Sequence, residues 1–85
     1  NNKEIDVVMD YVKDLMYFGL NGEKLLQTDI GIISPYKNQY QRIQEQLNMR
    51  NWSQIDCGSV ELFQGKEKHV IIVSFVRSFT PKLGF

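Results

Sequence analysis

The sequence predicts a layered α/β domain with a mainly parallel sheet, on three observations. Residues 70–76 read Val-Ile-Ile-Val-Ser-Phe-Val, β-branched in the first four positions and without alternation. Such a run suits a strand covered on both faces, as inside a parallel sheet. Residues 29–34 hold a shorter β-branched stretch around Gly31. A helical pattern lies between the two, and strand–helix–strand at this spacing suits a right-handed βαβ crossover.

Each element follows in chain order. Residues 3–18 predict a helix, because Ile5, Val8, Met9, Val12, Leu15 and Met16 fall on one face while Asp6, Asp10, Lys13 and Asp14 lie off it. Gly19 can stop that helix in a left-handed conformation, and Asn21-Gly22 marks a loop. Residues 29–34 are a strand bounded by turn residues. Ser34-Pro35 reads as a helix start, with Ser34 as the cap and Pro35 at the first helical position. Tyr36, Tyr40, Ile43 and Leu47 then form one apolar stripe, and the helix should end within residues 48–51. Residues 52–54 connect to a weaker strand at 55–60, where Asp56, Gly58 and Ser59 lower the propensity. Residues 61–64 suit a single helical turn before the strongest strand at 70–76.

Eighty-five residues set a limit of one small domain. A chain of this size buries roughly 60–65% of its unfolded surface, so its stability is marginal. Hydrophobic residues at 42% and charged residues at 24% argue against disorder. Ten basic and ten acidic side chains cancel, so any pull toward nucleic acid or anionic lipid must be local. Cys57 is the sole cysteine, which rules out an intramolecular disulfide and suits a reducing, intracellular setting. With His69 the sole histidine, a zinc site from these residues alone has no support. No apolar run approaches the ~20 residues that span a bilayer. The first residues, Asn-Asn-Lys-Glu, carry no signal pattern and no initiator Met, and both ends are expected to be cuts in a longer protein.

Three stretches are site candidates. Ser34-Pro35-Tyr36-Lys37-Asn38-Gln39 lies where a strand end meets a helix N-terminus. Ligands bind at that edge of open α/β sheets, and the helix end favours a phosphate to which Lys37 adds charge. The same residues serve equally as a plain cap and packing turn. In residues 59–68, Gly65 permits positive φ or close approach, Gln64 both donates and accepts, and Glu67 can accept two hydroxyl hydrogens such as those of a ribose. Lys66 and Lys68 bring charge, and a plain polar turn remains the alternative. No GxxxxGK phosphate loop is present in the sequence. Arg77-Ser78, past the strongest strand, can reach a phosphate or cap a carboxylate. Trp52 and Phe63 can stack on bases or fill the core. His69 reads as a strand-edge residue, and no Ser, Cys or His pairing supports nucleophilic catalysis.

Taken together, three segments resemble the second RecA-like domain of superfamily 1 RNA helicases. They are Ile30-Gly31-Ile32-Ile33-Ser34-Pro35-Tyr36-Lys37-Asn38-Gln39, Gly58-Ser59-Val60-Glu61-Leu62-Phe63-Gln64-Gly65-Lys66-Glu67, and Val70-Ile71-Ile72-Val73-Ser74-Phe75-Val76-Arg77-Ser78. Their order and spacing are similar to the group containing the nonsense-mediated-decay and silencing helicases. The resemblance covers residues 29–85, and the first helix fits the segment before it. It implies that residues 1–85 are a piece of the C-terminal RecA-like helicase domain, a partial three-layer fold of the P-loop NTPase kind. It implies ATP binding by Gln64, Gly65 and Glu67, with Glu67 as ribose acceptor, and RNA binding by Ser34, Pro35, Tyr36, Ser59 and Val60. Implied partners are RNA, a first RecA-like domain of the same protein and silencing-pathway proteins, in the cytoplasm. The implied cofactor is ATP with Mg2+, whose metal ligands lie outside these residues. No catalytic residue falls in this stretch, Arg77 is not the family's arginine finger, and the piece alone is expected to be inactive. Two rival readings stay open: a non-catalytic α/β module binding a phosphate or partner, and a DNA helicase of the same superfamily.

Overall fold

The computed structural model of the protein describes residues 2–74. Helix α1 (Asn2–Phe18) is followed by strand β1 (Ile30–Ile33), helix α2 (Lys37–Met49), strand β2 (Asp56–Gly58), a 3-10 turn (Val60–Phe63) and strand β3 (Val70–Val73). A further 3-10 turn, Gln27–Asp29, leads into β1. The sheet order is β2-β1-β3, and β1 pairs parallel with both neighbours. Ile32 lies level with Cys57 on one side and Ile72 on the other. The mainly parallel α/β architecture read from the sequence is therefore present. The end of the strongest predicted strand, with Arg77 and Ser78, lies outside the described residues.

Alternation along the strands divides the sheet into two unlike faces. Ile30 and Ile32 point into a core that α1 completes with Ile5, Val8, Met9 and Val12, and α2 with Ile43 and Leu47. Leu25 and Ile55, from the connections, close it. Leu15, Met16 and Trp52 pack at its margin, which settles Trp52 as a packing residue. Both helices thus cover one face, and the predicted stripe of α1 is the one buried.

The ends of α1 and α2 follow local chemistry. Gly19 takes φ +78° and its N–H bonds Leu15 O at 2.9 Å, stopping α1. Leu20 and Glu23 exchange backbone bonds of 2.8 and 2.9 Å around Asn21 and Gly22, both with positive φ, as a two-residue hairpin loop requires. At the end of α2, Asn51 adopts φ +62°. Trp52 N–H then reaches Leu47 O at 2.8 Å and Asn51 N–H reaches Asn48 O at 3.3 Å, a Schellman arrangement with asparagine in glycine's usual place.

Two expectations need correction. Ser34 does not cap α2 and Pro35 is not its first residue, because the helix begins at Lys37 with extended Tyr36 before it. Ser34 N–H finishes the strand pairing by bonding Gly58 O at 3.1 Å, and its Oγ accepts from extended Tyr36 rather than from a helical N–H. The helix stripe shifts with it, and Gln39, Ile43 and Leu47 are its buried residues. Second, β3 is not covered on both faces. Ile71 and Val73 remain 43% and 47% exposed, while Val70 and Ile72 pack against the core.

Among the described residues, the second face is not covered over β3 but is covered over β1 and β2. There the 3-10 turn lies on bare backbone. A side-chain carbon on Gly31 would run into the Phe63 ring, and one on Gly58 would come within 2.8 Å of Leu62. Phe63 is 8% exposed and is a packing residue. The crossover from β1 to β2 runs over the helix face, and the one from β2 to β3 over this face. Direction and face reverse together, so both crossovers keep the same hand, as βαβ units do.

Gly31→Ala is expected to destabilise the fold by about 1–3 kcal/mol, since the Phe63 ring must leave its seat. The loss should shrink toward zero in a Phe63→Ala background, which urea unfolding of the double-mutant cycle would read. Equal losses in both backgrounds would separate Gly31 from Phe63. Burial pushes the Cys57 thiol up to about 12, with Sγ 3.4 Å from Tyr40 O. Native Cys57 should therefore resist alkylation at pH 8 and react readily once the chain is unfolded.

Candidate functional site

The three strands finish level with one another. Ile33 sits opposite Gly58 and Val73, and each of these three is followed by a serine. Ser34 N–H bonds Gly58 O, and Ser74 N–H bonds Ile33 O at 2.8 Å. Ser34, Ser59 and Ser74 thus form a row along the C-terminal edge of the sheet, the edge where open α/β sheets bind ligands. Ser34 is fully buried, and its Oγ accepts Tyr36 N–H at 3.3 Å, which shapes the turn into α2. Ser74, 1% exposed, donates Oγ–H to Glu4 Oε2 at 3.1 Å and so ties β3 to the first turn of α1. Sequence reasoning missed Ser74 as part of this edge. The available signal was the repeated serine at each strand end.

Register brings the predicted nucleic-acid residues together. Ser34, Pro35 and Tyr36 leave β1, and Ser59 and Val60 leave β2, side by side. Pro35, Tyr36 and Val60 are exposed, Ser59 is half-buried, and Lys37 is exposed at the start of α2. Ser59 precedes the 3-10 turn, and its hydroxyl lies with the Glu61 carboxyl. Glu61's own backbone N–H, then that hydroxyl, hold the carboxyl below its ordinary range.

The predicted nucleotide residues sit at the other end of the same turn. Gln64 has φ −65° and ψ 126°, Gly65 has φ +81°, and Lys66 N–H bonds Phe63 O at 3.0 Å. This is a type II turn, which demands glycine at its third position. Gln64, Gly65 and Glu67 are all exposed. Ser59 and Gln64 are about 10 Å apart if the intervening residues rise ~2.0 Å each. The structure therefore groups the predicted residues in two sets joined by one short rigid link.

Lys66 and Lys68 share an internal partner. Both converge on Asp56 Oδ2, at 3.1 and 2.9 Å, and Lys68 also donates to Thr28 O at 2.7 Å. The Lys68 hydrogen bond, then that from Lys66, holds the Asp56 carboxyl below its ordinary range. His69 continues the strap: its N–H bonds Asp29 O at 2.9 Å and Nδ1 lies 3.0 Å from Asp29 Oδ1. Asp29 is likewise held low, chiefly by Leu26 N–H and further by His69. These contacts bind the segment after Gly65 to the N-terminal ends of β1 and β2. Among the described residues, no group of three His, Cys, Asp or Glu side chains could hold a metal ion, and no helix is long and apolar enough to cross a membrane.

A family profile described as an AAA domain matches residues 1–85. The "Putative helicase mov-10-B.1" of Danio rerio is 40% identical over 87 residues, covering 92% of this chain and 9% of that protein. The "Putative helicase MOV-10" of Gallus gallus is 38% identical over 93 residues, covering 98% of this chain and 10% of that protein. The DNA replication ATP-dependent helicase/nuclease DNA2 of Xenopus laevis is 47% identical over 58 residues, covering 67% of this chain and 6% of that protein. The chain spans about a tenth of the length of the curated relatives it matches, or less. No solved structure matches it. Matched from its first residue to its last, the chain belongs to the AAA-domain family, among relatives named as helicases.

Proposed function

We propose that these residues are part of the second RecA-like domain of an ATP-dependent RNA helicase. The observation that carries this is breadth of likeness. The MOV-10 relatives align with 92–98% of the chain, through the helix, the Ser-Pro-Tyr turn and the glycine turn alike. Supporting it, the motif residues lie along one sheet edge and one crossing turn, where a RecA-like domain would meet nucleic acid and nucleotide. The finer reading is a cytoplasmic helicase of RNA-mediated silencing, working with a first RecA-like domain and silencing-pathway proteins. It rests on the wording Gly-Ser-Val-Glu-Leu-Phe-Gln-Gly-Lys-Glu at residues 58–67.

The residues have distinct parts in this reading. Glu67 accepts ribose hydroxyls, Gln64 donates and accepts beside it, and Gly65 leaves open space for a nucleotide to approach. Pro35, Tyr36 and Val60 offer exposed apolar surface to sugars and bases. Ser34, being buried, positions that turn rather than touching RNA. Ser59 reaches a phosphate by exchanging Glu61 for it. ATP with Mg2+ supplies the anhydride whose cleavage drives the cycle, with the metal held by residues outside this chain.

In the full-length protein, Glu67→Ala or Gln64→Ala should weaken nucleotide binding by about 10–100-fold, the loss of one or two polar contacts, while RNA affinity without nucleotide is kept. Tyr36→Ala and Val60→Ser should do the reverse in filter binding. Wild-type nucleotide affinity and strand separation in both Glu67→Ala and Gln64→Ala would end the nucleotide assignment.

The DNA2 likeness, at 47% identity over a shorter stretch, favours a second reading as a DNA helicase. Unwinding of matched RNA and DNA duplexes by the full-length protein separates the two. Faster unwinding of RNA is expected, and equal or faster unwinding of DNA replaces the RNA reading.

A further inference from the structure

Asp56 opens β2 and draws in two cations. Lys66 Nζ lies 3.1 Å and Lys68 Nζ 2.9 Å from the same oxygen, Oδ2. Two ammonium groups brought to one oxygen repel each other, so both stay only while a charged carboxylate lies between them. The bridges are unequal. Lys66 is 41% exposed, whereas the Lys68 side chain is 7% exposed and has Thr28 O, at 2.7 Å, as its other partner. A buried ammonium that loses its counter-charge is costly, so without the Asp56 charge Lys68 leaves its seat for water.

Glu67 stands between the two lysines. Residues 66–68 form no helical turn and run directly toward β3. In extended chain, side chains at i and i+2 fall on one side and the one between them on the other. Lys66 and Lys68 go to Asp56, so Glu67 is turned away from it. Its surroundings agree. Glu67 is exposed, and its carboxylate forms no hydrogen bond or ion pair with a described residue, although a lysine flanks it on each side.

Packing does not fix that direction. Among the described residues, nothing lies within 4 Å of where a side-chain carbon on Gly65 would stand. Gly65, at φ +81°, lets the chain after it swing. Before that glycine the chain is held by buried Phe63. After it, the side-chain anchor on both neighbours of Glu67 is Asp56.

We infer that Asp56 is a positioning residue of the nucleotide site: it holds Lys66 and Lys68 to one side and so aims the Glu67 carboxylate, on the other, at the ribose of a bound nucleoside triphosphate. Asp56 acts through the two lysines, without touching the nucleotide. The inference rests on the proposed reading of Glu67 as ribose acceptor. It adds to that reading a carboxylate whose direction is set before nucleotide arrives, which lowers the ordering cost of binding.

Titration of the full-length protein with ATP and with 2′,3′-dideoxy-ATP tests it, because the two differ only in the ribose hydroxyls. The wild type should favour ATP by about 10-fold or more, the worth of one or two hydrogen bonds to a charged group. Glu67→Ala should abolish that preference. Asp56→Asn keeps the shape and removes the charge, and it should cut the preference severalfold while affinity for dideoxy-ATP holds. A merely structural role for Asp56 would weaken both nucleotides alike and leave their ratio intact. Preference lost in Glu67→Ala but kept in Asp56→Asn therefore overturns the positioning role alone. Preference kept in Glu67→Ala, or absent from the wild type, overturns the ribose reading itself and the positioning role with it. Should Asp56→Asn lose its fold by circular dichroism, Lys66→Met decides. That variant leaves the buried Lys68 bridge in place and should also lower the preference severalfold, and an unchanged preference overturns the role.

Discussion

The structure depends on a bare patch of sheet. Gly31 has no side chain where the Phe63 ring lies, and Gly58 has none beneath Leu62. The 3-10 turn can therefore rest on the strands themselves. Full burial of a phenylalanine is worth about 1.5–3 kcal/mol, while an exposed ion pair contributes about 0–1 kcal/mol. Phe63 thus outweighs the exposed Lys66–Asp56 bridge in setting where the crossing lies, and the Lys68–Asp56 bridge, with its lysine buried, holds the return. Everything carried by the crossing inherits that seat: Ser59 before it, Gln64 after it, and the level at which β3 begins.

The two sheet faces then do different work. The helix face holds Ile30, Ile32 and the apolar stripes of α1 and α2, and supplies most of the buried area. The opposite face is bare backbone at Gly31 and Gly58 and carries the crossing. Because every strand runs the same way, their C-terminal ends share one edge, and both helices begin there. Helix N-termini bring partial positive charge to that edge, and Glu4 in the first turn of α1 answers it while accepting from Ser74. Strand ends and helix starts are tied together by hydrogen bonds only a few ångströms long.

Much of this was legible in the sequence, where the signal was local. The α1 stripe, the stop at Gly19, a single helical turn expected at 61–64 and found at Val60–Phe63, and the order of elements along the chain follow from spacing and from glycine chemistry. Most of the missed features turn on distant partners. Ser34-Pro35 looks alike whether the helix starts at once or two residues later, and the extended backbone at Tyr36 decides it. Lys66 and Lys68 look like ligand-seeking charges until Asp56, ten residues or more earlier, takes them. The run at residues 70–73 says that β3 is apolar, but coverage of Ile71 and Val73 depends on which element lies above them. Ser74 hides inside that run. For the site, motif order was readable, whereas the separation of its residues into two sets required the register of the sheet.

That separation constrains how the two sets could communicate. A shift at the Gln64–Glu67 turn reaches Ser59 only if nothing between absorbs it. Gly65, with open space around it, is the most compliant point in the segment. It is clamped on both sides, by the Phe63 seat before it and by the Lys66 and Lys68 bridges after it, while Lys66 N–H to Phe63 O closes the turn. A clamped turn cannot flex freely in place. If the turn holds a nucleotide as proposed, a push on it either breaks a bridge or moves the Phe63 ring, and moving the ring tilts the 3-10 turn with Ser59 at its far end. The Lys66 bridge is exposed and weak, whereas the Lys68 side chain and the Phe63 ring are both buried, so in the proposed reading the balance among them sets whether a push at Glu67 is spent in the loop or delivered to the serine edge.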